Sequence, residues 1–177
     1  MLAATGKFAF VGDSLIESGE WNELVPGVEI ANKGISGETS VNLRSRIAEI
    51  IAQKPAAIVG MVGINDLLEN CSPEATSSNI VKIAHQIRDA QIPLAWHTIV
   101  RVSPPRPDFN SQIEATNRKI IERLSALNVE VWDLNPILSN MGLLKKQFSA
   151  DGLHLNGEGY FAWSDFITPR LSALATK

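Results

Sequence analysis

Apolar residues fall along this chain in short runs, separated by longer stretches in which they return every three or four positions. The runs at 8–11, 28–31, 57–62, 94–99 and 129–132 have the length and the mostly apolar character of strands in a sheet covered on both faces. Between them, Leu43, Ile47, Ile50 and Ile51 fall at i, i+4, i+7 and i+8, and Ile80, Ile83, Ala84 and Ile87 at i, i+3, i+4 and i+7. Each set paints one buried stripe on a helix. Ser72-Pro73-Glu74 supplies an N-cap, a proline at the first helical position and an acid in the first turn, which predicts that the second helix starts there. Ile113, Ile120, Leu124 and Leu127 mark a third helix, and residues 157–174 a last one.

Strands alternating with helices predict an α/β fold built on a doubly wound, five-stranded parallel sheet. The length, 177 residues, fits one domain over 1–177. The proline-rich stretch Ser103-Pro104-Pro105-Arg106-Pro107 reads as a loop after the fourth strand and not as an interdomain linker, since ring-locked residues cannot donate to a ladder. In open α/β sheets ligands bind beyond the carboxyl ends of the strands, so the chemistry is sought there.

Composition narrows the partners. Sixteen Lys and Arg against 19 Asp and Glu leave a net charge of −3, with no basic run, which excludes the electrostatic footprint of a nucleic-acid binder. The single cysteine, Cys71, has no second thiol for a disulfide or a CxxC site, so a reducing, cytoplasmic setting is expected. Residues 1–11 lack the pattern of a secretory leader, and the longest nearly apolar run, 55–64, is far shorter than the roughly 20 residues of a membrane-spanning helix.

Four strand-end segments carry candidate chemistry. Gly12-Asp13-Ser14-Leu15 follows the first strand and brings a hydroxyl to the rim; Ile16, two positions after the serine, excludes a Gly-x-Ser-x-Gly elbow. Asn32-Lys33-Gly34-Ile35-Ser36-Gly37 follows the second strand and lets something approach the Gly34 amide. Gly63-Ile64-Asn65-Asp66 follows the third and offers a neutral carboxamide donor. Asp151-Gly152-Leu153-His154 holds an acid and an imidazole three residues apart. Singly, each has a plain alternative: a turn, a helix cap or a local hydrogen-bonded bend. Together they make a serine hydrolase constellation. Ser14 is the nucleophile, His154 its base and Asp151 the group that orients the base. The Gly34 N–H and the Asn65 side-chain amide, helped by the Ser14 N–H, are expected to form the oxyanion hole.

These four blocks, in this order and spacing, resemble the signature blocks of the SGNH (GDSL) hydrolases over nearly the whole chain. Asn-Gly-Glu-Gly-Tyr at 156–160 is similar to the branch of platelet-activating-factor acetylhydrolase-like acylesterases. The resemblance implies a flavodoxin-like three-layer α/β/α sandwich and metal-free, cofactor-free hydrolysis of small acyl esters, with the same five roles for Ser14, Gly34, Asn65, Asp151 and His154. With no insertion long enough for a lid, an open site for short acyl groups is expected. The rival readings are a thioesterase or lysophospholipase acting on longer chains, and a non-catalytic domain binding sugar or lipid. His97 is expected to be structural, His85 solvated, Asp13 a turn support and Asp66 a loop anchor, while Trp21 and Met141 either line an acyl pocket or simply pack. No paired His or Cys stands at metal-ligand spacing.

Overall fold

The computed structural model describes residues 7–174. Residues 1–6, part of the stretch 1–11 read above for a leader, lie outside the described residues, as do 175–177. Five strands form the main sheet: β1 (Phe8–Gly12), β2 (Ile30–Gly34), β3 (Ala57–Met61), β4 (Leu94–His97) and β5 (Glu130–Trp132). All neighbours pair in parallel in the order β2-β1-β3-β4-β5, which is the flavodoxin-like doubly wound arrangement.

The helices are α1 (Ser14–Glu17), α2 (Trp21–Leu24), α3 (Ser40–Ala52), α4 (Ile64–Leu68), α5 (Pro73–Asp89), α6 (Asn110–Ala126), α7 (Asn135–Leu138) and α8 (Gly157–Leu174). Alternate residues of β1 face opposite layers. Phe8 and Phe10 pack with Trp21 of α2 and with Tyr160, Trp163, Ile167 and Leu171 of α8. Ala9 and Val11 pack with Leu43 and Ile47 of α3, Ile80 and Ile83 of α5, and Ile113 and Ile120 of α6. The result is a three-layer α/β/α sandwich. The predicted stripes are the buried faces of α3, α5 and α6, although Ile51 and Leu127 sit at their half-buried margins. Ser72 caps α5 as expected, its hydroxyl accepting from the Ala75 N–H.

Two strands, β2 and β4, differ from the apolar runs by more than one residue. β2 begins two residues late and continues through Asn32-Lys33-Gly34, because it is an edge strand whose ladder extends past the apolar segment: Gly34 lies opposite Gly12. β4 stops at His97 because Ile99 exchanges both of its backbone bonds with the Asn117 side-chain amide, at 2.8 Å each, and leaves the ladder. The short helices α1, α2, α4 and α7 are too brief to show a period in sequence. A small antiparallel hairpin, β6 (Ser139–Asn140) with β7 (Leu143–Leu144), also precedes α8.

Candidate active site

At the carboxyl end of β1 the chain turns at Gly12, whose φ is +150°. A Cβ there would lie 1.9 Å from the Met61 carbonyl oxygen of β3, so only glycine fits. Asp13 caps α1, its side chain accepting from the Leu15 N–H at 3.0 Å, and Ser14 becomes the first residue of that helix. The Ser14 hydroxyl therefore stands at the rim, half-buried, above the sheet.

The other half of the site comes from residues 149–154. The Gly152 N–H donates to Ser149 Oγ, and the Ser103 N–H donates to the Gly152 carbonyl at 2.9 Å, which docks the bend on the proline-rich loop. Asp151 Oδ1 accepts the N–H groups of Leu153 and His154 at 2.9 and 2.8 Å. Its Oδ2 takes the His154 Nδ1–H at 2.7 Å, and His154 Nε2 then accepts from Ser14 Oγ at 3.1 Å. Burial acts to raise the Asp151 carboxyl, but the ring and the two backbone N–H groups outweigh it and hold the group well below the usual carboxylate range. The geometry is an unbroken path from hydroxyl to imidazole to carboxylate.

Beyond the bend, Asn156 caps α8, its Oδ1 accepting from the Gly159 N–H. One turn later the Tyr160 hydroxyl donates to the Leu15 carbonyl at 2.8 Å, tying α8 to α1 behind the nucleophile. The Asn-Gly-Glu-Gly-Tyr run thus fixes the distance between the two loops that meet at Ser14 and His154.

Two of the expected donors keep a free hydrogen among the described residues. The Ser14 N–H has no acceptor among the described residues. Asn65, second residue of α4, spends one amide hydrogen on the Glu38 carbonyl at 3.0 Å and keeps the other. The expectation for Gly34 needs correction. Its N–H donates to Asn32 Oδ1 at 3.0 Å, and the residue belongs to the sheet edge, not to the loop. Gly37, three residues on, lies in the turn closed by the Glu38 N–H and the Ile35 carbonyl, has a φ of +76°, and its N–H has no acceptor among the described residues. A strand ending at Ala31 puts both glycines of Asn-Lys-Gly-Ile-Ser-Gly in the loop, and nothing in the sequence tells them apart.

Under the site lie three buried acids. Burial pushes the Asp13 carboxyl up to about 7; the Leu15 N–H opposes this, the Glu38 charge adds to it, His154 opposes it and Asp66 adds to it. Asp66 accepts from both the N–H and the hydroxyl of Ser40, which anchors the start of α3 to α4. Glu38 pairs with Arg46 of α3. Asp13 and Asp66 are thus a helix cap and an anchor. His97 is fully buried between Trp132 and Trp163, with Nδ1 on the Trp132 carbonyl and Nε2 facing the Trp163 indole N–H. Burial drives its pKa down to about 3; the Trp132 carbonyl opposes, Arg170 adds to the shift and Asp133 opposes it. It stays neutral and structural. His85 is exposed on α5, Trp21 is core, and Met141 is 93% exposed at the hairpin tip.

The model of the GDSL-like lipase/acylhydrolase family matches residues 10–162. An N-acylneuraminate cytidylyltransferase of Streptococcus agalactiae serotype III is 24% identical over 127 residues, which are 72% of this chain and 31% of that protein. The chain thus spans about a third of the length of the curated relatives it matches. Among solved structures, a protein of Streptococcus pneumonia provisionally assigned as a platelet activating factor superposes with a TM-score of 0.81 at 26% identity, covering 93% of this chain and 83% of its own. A GDSL-like lipase of Bacteroides thetaiotaomicron gives 0.82 at 24%, covering 95% and 88%, and a lipase/acylhydrolase of Enterococcus faecalis gives 0.82 at 23%, covering 95% and 96%. With its sheet order, its four strand-end blocks and this family match all in agreement, the chain belongs to the GDSL-like lipase/acylhydrolase family.

Proposed function

We propose that residues 1–177 form one hydrolase domain, a serine esterase that cleaves short-chain acyl esters, acetyl esters among them, through an acyl-enzyme. The observation that carries this reading is the continuous path Ser14 Oγ, His154 Nε2, His154 Nδ1, Asp151 Oδ2. With its Nδ1–H committed to Asp151, the imidazole presents Nε2 as a base, and a hydroxyl needs such a base to become a nucleophile.

Ser14 Oγ attacks the ester carbonyl carbon while its proton passes to His154 Nε2. The carbonyl oxygen becomes an oxyanion beside the Ser14 and Gly37 N–H groups and the free Asn65 amide hydrogen. Collapse breaks the bond to the alcohol oxygen, which leaves with the proton from Nε2. Water then gives a proton to Nε2 and attacks the acyl carbon, and the second collapse returns the proton to Ser14 and releases the acid. The Asp151 carboxylate stays ionised throughout and stabilises the transient imidazolium.

The acyl preference rests on exposure. The side chains of His154 and Asp151 are 48% and 52% exposed, as in a site with no cover to bury a long chain. Among the described residues no helix is long and apolar enough to cross a membrane, and a free Cys71 suits a reducing, cytoplasmic setting. Two similar proteins bear on the choice of substrates: the Streptococcus agalactiae relative is named for an N-acylneuraminate, and another solved neighbour is an acetyl xylan esterase. O-acetylated sugars therefore belong beside aryl acetates in the panel. Hydrolysis of p-nitrophenyl acetate that disappears in Ser14→Ala, with acetate turned over faster than decanoate, is the expected result. No hydrolysis of any ester contradicts the esterase reading, and faster decanoate turnover contradicts the short-chain one.

A further inference from the structure

An oxyanion hole is useful only if its donors are already aimed when charge develops, since donors that reorganise during the reaction give back what they gain. Two of the donors here lie on short connections that have little rigidity of their own. Gly37 sits in an exposed turn, and Asn65 is half-buried at the start of a five-residue helix. Both are held by one device.

Glu38 is 3% exposed, and its two carboxylate oxygens receive Nε and Nη2 of Arg46 as a fork. The same Nη2 also donates to the Lys33 carbonyl at 2.7 Å. Arg46, fixed on the thirteen-residue helix α3, therefore grips the loop at both of its ends, Lys33 and Glu38, with Gly37 between them. The Glu38 carbonyl is in turn the acceptor that orients the Asn65 amide. One guanidinium thus sets the position of a backbone donor and, through a peptide carbonyl, of a side-chain donor on a different strand end.

We propose that the Glu38–Arg46 ion pair is the positioning device of the oxyanion hole, acting on Asn65 and Gly37 and not on substrate. The inference rests on the esterase reading of the same site. Two consequences of losing Arg46 point the same way. The loop loses its two-point clamp, and a buried carboxylate is left without a counter-charge close to where the oxyanion forms. A buried pair of this kind adds little net stability over an apolar replacement, whereas half of one is costly. Its effect is therefore expected in kcat more than in the folding of a variant that lacks both charges.

The test is a double-mutant cycle on p-nitrophenyl acetate hydrolysis. Arg46→Gln/Glu38→Gln, which removes both charges, is expected to melt near the wild-type temperature while kcat falls about 10- to 100-fold and KM changes less than about threefold. In an Asn65→Ala background the same pair of substitutions is expected to cost several-fold less than in the wild type, because one of the two donors it aims is gone and only Gly37 remains. Arg46→Lys keeps the charge without the fork and is expected to recover only part of the rate. An equal loss with and without Asn65 overturns the proposal, as does an unchanged kcat in a folded double variant. If the glutamine pair fails to fold, Arg46→Lys takes its place in the cycle: a loss that shrinks in the Asn65→Ala background supports the proposal, and an equal loss or none overturns it. A wild-type protein that neither hydrolyses esters nor reacts at Ser14 overturns the esterase reading itself and the proposal with it. An active wild type with an additive cycle overturns the proposal alone.

Discussion

Asp13→Asn should make the fold's stability depend on pH in a way the natural protein does not. Asp13 and His97 are both buried and both strongly shifted, but in opposite directions. The His97 pKa falls from 6.5 to about 3, so between these values the unfolded chain binds more protons and stability drops as pH falls. The Asp13 pKa rises from 3.8 to about 7, so between these values the folded chain binds more protons and stability drops as pH rises. Carried through the linkage relation from pH 8 to pH 5, His97 removes about 2 kcal/mol and Asp13 returns about 2.5 kcal/mol. The two nearly cancel in the natural protein. Asparagine keeps the cap, since its carbonyl can still accept from the Leu15 N–H, but it does not titrate. Urea unfolding followed by tryptophan fluorescence should show the variant more stable than the natural protein at pH 8, about equal at pH 5, and losing about 2 kcal/mol between them. A variant whose midpoint tracks the natural protein at both pH values would refute the opposed-shift reasoning. So would a natural protein that already loses about 2 kcal/mol over that interval.

Other outcomes follow from the same geometry. Asn65→Ala should lower kcat by roughly 10²–10³, or about 2.7–4 kcal/mol of transition-state stabilisation, with KM little changed in steady-state kinetics. Gly12→Ala places a methyl 1.9 Å from the Met61 carbonyl at a φ of +150°, and should cost several degrees of melting temperature or prevent soluble expression. A variant melting with the wild type would contradict it.

The parts of this molecule that sequence makes legible are those where one physical requirement dominates. Burial on both faces makes β1 and β3 readable as apolar runs, and one-sided burial writes the stripes of α3, α5 and α6. Ser14, Asp151 and His154 are legible because each lies within two residues of a glycine, in a short segment directly after an apolar strand or in the last loop. Legibility stops where the requirement is not apolar. β2 continues as an edge strand through Asn32 and Lys33, which carry no apolar signal, so Gly34 closes the strand instead of lying in the loop. Nothing in the eight-residue spacing of Glu38 and Arg46 reveals that the carboxylate will be buried under the guanidinium. The short helices α1, α4 and α7, of which only α1 has a side-chain N-cap, are held by their neighbours and not by periodicity, and so leave no pattern.

Intact-mass spectrometry after treatment with a fluorophosphonate asks most directly whether the Ser14 hydroxyl is activated by His154. A single adduct is predicted on the wild type, formed as Oγ bonds to phosphorus and fluoride leaves, with none on Ser14→Ala and far slower labelling of His154→Ala. A wild type that stays unmodified, or a Ser14→Ala variant that takes up the probe at the same rate, would contradict the account.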